Sequence, residues 1–154
     1  MKKNKQGFTL IELLVVIAII GLLSTLSIVA LNQARARARD ARRLADVKQI
    51  QTALEMYYND MGGYPDDEDV VAGGSITGTA STTYMDIVPK PPLPADGSAC
   101  AAVSSAYVYA VNSSLNGVTN GSYTLTYCLG SATGGILEGL NTATPSGISL
   151  RAVQ

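Results

Sequence analysis

Glu12 is the side chain whose position most needs a chemical explanation, because it is the single charge in the apolar stretch from Phe8 to Leu31. A carboxylate inside a membrane costs about 2.5–3.5 kcal/mol on insertion scales, and intramembrane charges are usually paired. The stretch contains no cation that could pair with it. The carboxylate therefore either stays hydrated near the membrane surface or pairs with a cation of another chain. A free α-amino group at Phe8 of a neighbouring chain would serve, and it would require cleavage just before that residue.

The composition disfavours catalysis. The chain has no His, which removes the commonest general base and the commonest zinc ligand. Neither a nucleophile–base pair nor paired carboxylates stand out on the predicted helices and strands. Apolar residues make up 47% of the chain, which excludes general disorder, and a net charge of −1 gives no general attraction to nucleic acid. We expect no enzymatic activity, no cofactor and no metal site.

The apolar stretch has the length of a membrane span. As a helix, residues 8–31 would extend roughly 36 Å, enough to cross a hydrocarbon core of about 30 Å. The apolar core of a cleaved secretory signal is shorter, at about 7–15 residues. Lys2, Lys3 and Lys5 precede the stretch and favour a cytoplasmic N-terminus, although the arginines after Leu31 favour the opposite orientation. We expect a single-pass inner-membrane precursor with its N-terminus in the cytoplasm.

The first residues of the chain carry a specific motif. The run KKNKQGFTLIEL, residues 2–13, resembles the processing site of type IV pilins and of type II secretion pseudopilins. The resemblance implies that a membrane-embedded prepilin peptidase removes the leader, residues 1–7, by cutting between Gly7 and Phe8. It also implies that the same enzyme methylates the new amino group of Phe8. Glu12 would then pair with the methylated amine of an adjacent subunit during filament assembly.

A single long helix is predicted from Phe8 to Met61. Residues 8–31 form the membrane and assembly part, and residues 32–61 form an amphipathic continuation without Pro or Gly. Its apolar stripe has helical spacing and consists of Val47, Ile50, Leu54, Tyr57 and Met61. Gly62 and Gly63 end the helix, and Pro65 prevents its resumption. Many members of the family have a proline, which can bend or interrupt a helix, where this chain has Val29. Because this chain lacks that proline, we expect a continuous helix despite Gly21.

The remainder of the chain is predicted to form a loop region, residues 62–105, and an antiparallel β head, residues 106–154. Residues 106–112 and 122–129 alternate as strands, and the polar stretch between them carries Asn116-Gly117 and Asn120-Gly121 turn signals. Tyr123, Leu125 and Tyr127 should face the helical stripe. Residues 147–152 are predicted to add an edge strand. The fold class is therefore α+β, with a long N-terminal helix packed on a small antiparallel sheet, as in the pilin fold that the resemblance implies.

Cys100 and Cys128 are the only cysteines. A thioredoxin-like pair would be two residues apart, and zinc would need further ligands. In an oxidising compartment a disulfide is the favoured interpretation, worth about 3–4 kcal/mol by loop closure, and two buried free thiols remain the alternative. The acidic run Asp66-Asp67-Glu68-Asp69 lacks the spacing of a calcium loop, so we interpret it as a solvated surface.

The arginines that follow the membrane stretch invite a second hypothesis. They are Arg35, Arg37, Arg39, Arg42 and Arg43. Nucleic-acid binding by this helix is disfavoured because no aromatic residues are interleaved for base stacking, although the filament as a whole remains open to it. Helical ion pairs with Asp40 and Asp46, together with subunit contacts, explain the cluster better.

The favoured function is that of a major type IV pilin, a structural subunit that polymerises through its N-terminal helix into a filament. Its expected partners are other copies of itself, the prepilin peptidase and N-methyltransferase, the inner-membrane assembly platform with its ATPase, and lipid before assembly. The alternatives are a major pseudopilin of a type II secretion system and, less favoured, a minor tip pilin that binds a ligand. The filament would be an extracellular pilus or a periplasmic pseudopilus.

Overall fold

The computed structural model describes residues 7–97, 100, 106–115 and 118–150. The chain divides into two compact units, Met1–Arg35 and Ala36–Gln154. Helix α1 (Leu10–Met61) begins in the first unit and ends in the second. The strands are β1 (Ile76–Thr77), β2 (Thr83–Met85), β3 (Val108–Leu115), β4 (Val118–Leu129), β5 (Gly139–Thr144) and β6 (Gly147–Leu150). The α+β class predicted from the sequence is confirmed.

The first unit presents the apolar part of α1. The helix is unbroken through Gly21 and Val29, which confirms the prediction of a continuous helix. Its most apolar window has a mean hydropathy of 2.8, and none of that window is buried. By length and composition, this helix is long and apolar enough to cross a membrane. The apolar side chains of residues 8–31 thus remain available to lipid or to another protein.

In the second unit, the last part of α1 packs on the sheet through the predicted stripe. Val47, Ile50 and Leu54 are fully buried, and Tyr57 contacts the edge of the same core. Gly62 follows the helix with φ +77°, and its N–H donates to Tyr58 O at 2.8 Å. This is the left-handed end that glycine favours, so the predicted termination is confirmed.

The sheet has four antiparallel strands in the order β3-β4-β5-β6. The predicted hairpin corresponds to β3 and β4, and the predicted edge strand corresponds to β6, whose proposed last residues 151–152 lie outside the described part of the chain. Tyr123, Leu125 and Tyr127 alternate along β4 and are buried on the helix side, as predicted. β5 was not predicted, because the sequence GLNTAT has little of the β-branched and aromatic character of most strands.

Asn120-Gly121 does not form the turn that the sequence indicated, because β4 continues through it. The pairing shifts between Asn112↔Ser122 and Ser114↔Thr119, so β4 contains one extra residue at a bulge. Asn120 occupies the bulge with φ +55°, a left-handed conformation that Asn tolerates better than most residues. The prediction of a turn at Asn120-Gly121 was therefore wrong, although the sequence signal correctly marked a residue with positive φ.

The predicted loop region, residues 62–105, contains ordered elements. β1 and β2 pair as a short antiparallel ribbon, and 3-10 turns occupy Asp67–Asp69 and Thr79–Ser81. The region also contributes Tyr64, Val70, Ile76 and Val88 to the core. The hydrophobic core of the head is therefore formed by three parts of the chain: the helix, the sheet and this segment.

Candidate assembly site

Thr9 and Glu12 form a reciprocal cap at the start of α1. The Thr9 backbone N–H donates to Glu12 Oε2 at 2.8 Å, and the Thr9 hydroxyl donates to the same oxygen at 2.7 Å. The Glu12 N–H in turn donates to Thr9 Oγ1 at 3.3 Å. This arrangement is a capping box, in which a Thr and a Glu three residues later satisfy each other's free N–H groups. Glu12 thus has a second role that the sequence analysis missed, although the Thr-x-x-Glu spacing signals it.

The predicted cleavage site lies immediately before this cap. Gly7, Phe8 and Thr9 are not helical, and Phe8 is 90% exposed. No atom lies within 4 Å of the position that a Cβ on Gly7 would occupy. The peptide bond between Gly7 and Phe8 therefore lies in exposed, non-helical chain, where a peptidase could reach it.

The Glu12 carboxylate has no cation beside it in the part of the chain that the structure describes. Its hydrogen bonds there come from Thr9 alone, a neutral donor. Its negative charge is consequently capped but not compensated. A cation from outside the chain could approach this exposed side chain at the beginning of α1, where only Oε2 accepts hydrogen bonds from Thr9.

Two of the five arginines after the membrane stretch bind the head. Arg39 donates to both oxygens of Asp96, from Nε at 2.7 Å and from Nη2 at 2.6 Å. Arg43 donates from Nη2 to the carbonyls of Pro92 and Pro94, each at 2.8 Å. The sequence predicted helical ion pairs for these arginines, but their contacts with the proline-rich loop require tertiary structure and were missed.

Asp40 and Asp46 are buried on the same part of α1. Asp40 Oδ1 accepts from Arg43 Nη1 at 2.6 Å, which is the predicted type of helical ion pair. Asp46 instead accepts the hydroxyl of Tyr107 at 2.9 Å, with both side chains buried. Arg35, Arg37 and Arg42 are exposed. The arginine cluster is therefore divided between residues that hold the head and residues that face outward.

The contacts of Asp96 and Tyr107 shift the pKa values of these two groups. The hydrogen bond from Arg39 is the main reason that the pKa of Asp96 lies below its usual value, since it stabilises the carboxylate. Burial, followed by the hydrogen bond to Asp46, raises the pKa of the Tyr107 phenol. At neutral pH, Asp96 is charged and Tyr107 is a neutral donor, which are the forms that these contacts require.

Cys100 and Cys128 form a disulfide, with their Cα atoms 5.6 Å apart. Cys128 lies on β4, and Cys100 is buried below the proline-rich loop. The bond closes a sequence separation of 28 residues. The interpretation of the two cysteines as a disulfide, and not as free thiols, therefore agrees with the structure.

The acidic run is partly engaged with the sheet. Asp67 Oδ1 accepts the backbone N–H of Val111 on the outer edge of β3, and Asp66 Oδ1 accepts from the Asn120 amide at 2.8 Å. The interpretation of the run as a solvated surface agrees with the structure, in which all four side chains are exposed, although two of them also bind the sheet. The Asp67 carboxylate covers part of a strand edge that would otherwise expose an unpaired backbone N–H. Within the described residues, no group of three or more side chains is arranged to hold a metal ion.

The comparisons with known proteins agree on one family. A family model described as the prokaryotic N-terminal methylation motif matches residues 2–28. The type IV major fimbrial protein FimA of Dichelobacter nodosus is 35% identical over 107 residues, which cover 62% of this chain and 68% of that protein. The type IV wide pilus major component PilA4 of Thermus thermophilus is 36% identical over 86 residues, covering 56% of this chain and 66% of that protein.

Relatives from secretion systems are also similar. The type II secretion system core protein G of Aeromonas hydrophila is 36% identical over 67 residues, which cover 44% of this chain and 47% of that protein. The chain spans about half the length of this and several other curated relatives. No solved structure matches. With its capped apolar helix, its disulfide-linked sheet and these relatives, the chain belongs to the family of type IV pilins and type II secretion pseudopilins.

Proposed function

We propose that the chain is the major structural subunit of a type IV pilus. In this proposal, cleavage between Gly7 and Phe8 creates a free amino group, which the peptidase then methylates. Subunits pack their apolar helices side by side, and the Phe8 amine of one subunit neutralises Glu12 of its neighbour. The mature subunit has no catalytic role, and its function is to polymerise.

The observation that carries the proposal is the arrangement at the start of α1. An accessible Gly7–Phe8 bond precedes an exposed, charged Glu12, and an uncovered apolar helix follows. An unpartnered apolar helix is stable in lipid or against other apolar helices, whereas it is unstable in water. A cation supplied by a neighbouring chain would compensate the one charge that both of these environments disfavour.

The proposed orientation before assembly places residues 1–6 in the cytoplasm and the head on the opposite side of the inner membrane. Lys2, Lys3 and Lys5 support this orientation. The disulfide supports it as well, because oxidising compartments lie outside the cytoplasm. The arginines after Leu31 favour the opposite orientation, but two of them, Arg39 and Arg43, bind Asp96 in the head.

A surface pilus is favoured over a secretion pseudopilus by the extent of the similarity. The alignment covers 68% of the fimbrial protein of Dichelobacter nodosus and 66% of the pilus component of Thermus thermophilus, against 47% and 56% of the secretion proteins of Aeromonas hydrophila and Pectobacterium carotovorum. The head also contains a disulfide, which by the family resemblance is frequent in type IV pilins, whereas major pseudopilins often use a calcium ion instead. The pseudopilin remains the second candidate, because several secretion core proteins G are 33–36% identical over 67–95 residues.

The proposed partners follow from assembly. They are further copies of the chain, the prepilin peptidase and N-methyltransferase, an inner-membrane platform with its ATPase, and lipid before extraction. A minor tip subunit would need an accessory binding region, and the described part of the head consists of a four-stranded sheet, a two-stranded ribbon and a segment after α1 that contributes residues to the same core. We therefore assign the chain to the shaft of the filament.

Glu12→Gln tests the proposal, and Glu138→Gln is the matched control because it makes the same change at an exposed position of the head. Both variants should be cleaved in cells that carry the assembly machinery. We expect Glu12→Gln to remain in the membrane fraction, with filament yield reduced at least tenfold, while Glu138→Gln assembles normally. Filaments of Glu12→Gln in normal yield would contradict the proposed role of Glu12.

A further inference from the structure

Asp40 and Arg43 join the two chain segments that carry the disulfide. The first arm comprises residues 91–97, which lead to Cys100. The second arm comprises residues 128–131, which begin with Cys128 at the end of β4. Arg43 binds the first arm, Asp40 binds the second arm, and the two side chains bind each other at 2.6 Å. We propose that this pair is a non-covalent latch that aligns the two arms before the disulfide forms.

The grip on the first arm is extensive. Arg43 Nη2 donates to two carbonyls, those of Pro92 and Pro94, and Arg43 Nη1 lies 3.3 Å from Asp96 Oδ2. Arg39 adds two shorter contacts to the same Asp96. The planar guanidinium can donate in several directions at once, which suits it to hold a loop at several points. The first arm is thus fixed to α1 without any contribution from Cys100.

The grip on the second arm comes from Asp40. Its Oδ1 accepts the backbone N–H of Gly130 at 3.0 Å, and its Oδ2 accepts the hydroxyl of Ser131 at 2.7 Å. These contacts begin two residues after Cys128. The second arm is therefore also fixed to α1 without any contribution from the disulfide.

The two arms touch directly between these contacts. A Cβ on Gly97 would lie 2.8 Å from the carbonyl oxygen of Gly130, and a Cβ on Gly130 would lie 2.4 Å from the carbonyl group of Asp96. Only glycines permit so close a backbone approach. The latch itself is closed to solvent, because Asp40 is fully buried and Arg43 is 3% exposed. Low local dielectric strengthens such hydrogen bonds, and this makes the alignment of the arms specific.

The consequence concerns the order of folding and oxidation. With the arms already aligned, Cys100 and Cys128 are held close together as thiols. With glutathione disulfide as the oxidant, one cysteine thiolate attacks a glutathione sulfur, forms a mixed disulfide and releases one glutathione thiolate. The second cysteine thiolate then attacks the protein sulfur and releases the second. Two protein thiols are oxidised and one glutathione disulfide is reduced, so the exchange balances.

The experiment measures how strongly the aligned arms favour this bond. The full-length chain in detergent micelles is equilibrated with defined mixtures of reduced and oxidised glutathione, and remaining thiols are alkylated and counted by mass spectrometry. The ratio of disulfide-bonded to reduced protein in each glutathione mixture gives the effective concentration of one cysteine at the other. We expect Arg43→Met and Asp40→Asn to lower it fivefold or more. Arg42→Met is the control, because Arg42 is the exposed neighbour of Arg43.

A fall of less than fivefold relative to Arg42→Met would overturn the proposal. If Arg43→Met or Asp40→Asn fails to fold, Ser131→Ala replaces them, because it removes one hydroxyl contact to Asp40. It should lower the effective concentration twofold or more, and a smaller change would equally overturn the proposal. The measurement uses dispersed protein, so its outcome is independent of filament assembly.

Discussion

Tyr107 donates its hydroxyl proton to Asp46 Oδ2 at 2.9 Å inside the head, with both residues buried. The hydroxyl of Tyr127 is also buried, but it has no hydrogen-bond partner among the described residues. The two tyrosines therefore occupy the same core and differ in whether the phenol is satisfied. This difference predicts opposite responses to the same substitution.

Tyr107→Phe should destabilise the protein and Tyr127→Phe should not. Loss of the Tyr107 hydroxyl leaves the buried Asp46 carboxylate without that donor, which costs about 1–3 kcal/mol. Loss of the Tyr127 hydroxyl removes an unsatisfied polar atom, so the free energy of unfolding should stay constant or rise by up to about 1 kcal/mol. Urea unfolding of the oxidised chain in detergent measures both. Equal destabilisation by the two substitutions would contradict the hydrogen-bond assignment.

Neighbouring arginines on α1 should respond very differently to replacement by methionine. Arg43→Met leaves Asp40 buried without its cation, and breaking such a pair costs about 3–5 kcal/mol. Arg42→Met changes an exposed side chain and should alter the free energy of unfolding by no more than about 0.5 kcal/mol. Chemical denaturation monitored by circular dichroism provides the comparison. A cost below 1 kcal/mol for Arg43→Met would show that the buried pair does not hold the head.

Asn120 combines an unusual backbone conformation with contacts to the segment that follows α1. Its amide donates to Tyr64 O at 3.1 Å and to Asp66 Oδ1 at 2.8 Å, while its φ is +55°. Asn120→Gly loses these contacts but keeps the conformation, whereas Asn120→Ala loses both. We expect the alanine variant to be less stable than the glycine variant by about 1 kcal/mol. The order of their thermal midpoints tests this, and the reverse order would contradict it.

Alkaline pH should destabilise the head through its buried tyrosines. Burial raises the pKa of Tyr127 to about 12, above its value of 10 in the unfolded chain. Because the folded pKa is the higher one, the unfolded chain loses its proton first. The stabilisation is therefore fully present below about pH 10 and is lost as pH rises towards about 12.

The measurement for this prediction is the urea midpoint at about pH 8 and at about pH 11, together with tyrosinate absorbance. The midpoint should fall at the higher pH, by an amount equivalent to about 1 kcal/mol or more for each deeply buried phenol. Tyr127→Phe is the control, because it removes one such phenol and should show a smaller fall. An unchanged midpoint in the unmodified chain would contradict the assigned burial.

Much of this fold follows from local sequence signals. The long helix was predictable because its apolar residues, its good helix formers and Gly62 all indicate the same element, although it begins at Leu10 and not at the predicted Phe8. The alternation of Tyr123, Leu125 and Tyr127 identified both the strand and the face that packs on the helix. The disulfide partners followed from there being only two cysteines in the chain.

The parts that were missed depend on long-range contacts. β5 is a strand because β4 and β6 pair with it, and its own residues show weak strand preference. Nothing in the sequence near Arg43 identifies the carbonyls of Pro92 and Pro94 as its partners, since the two segments are about fifty residues apart. The capping box of Thr9 and Glu12 was visible in the sequence, but the functional interpretation of Glu12 obscured its local role.

The intact mass of this protein in filaments sheared from the cell surface shows whether it is a processed pilus subunit. We predict a chain that lacks residues 1–7, begins at Phe8 with one added methyl group, and lacks two hydrogens because of the Cys100–Cys128 bond. A processed chain found in the membrane fraction and absent from the sheared material would favour the secretion pseudopilus. A chain that retains Met1 to Gly7 would contradict the assignment as a processed filament subunit.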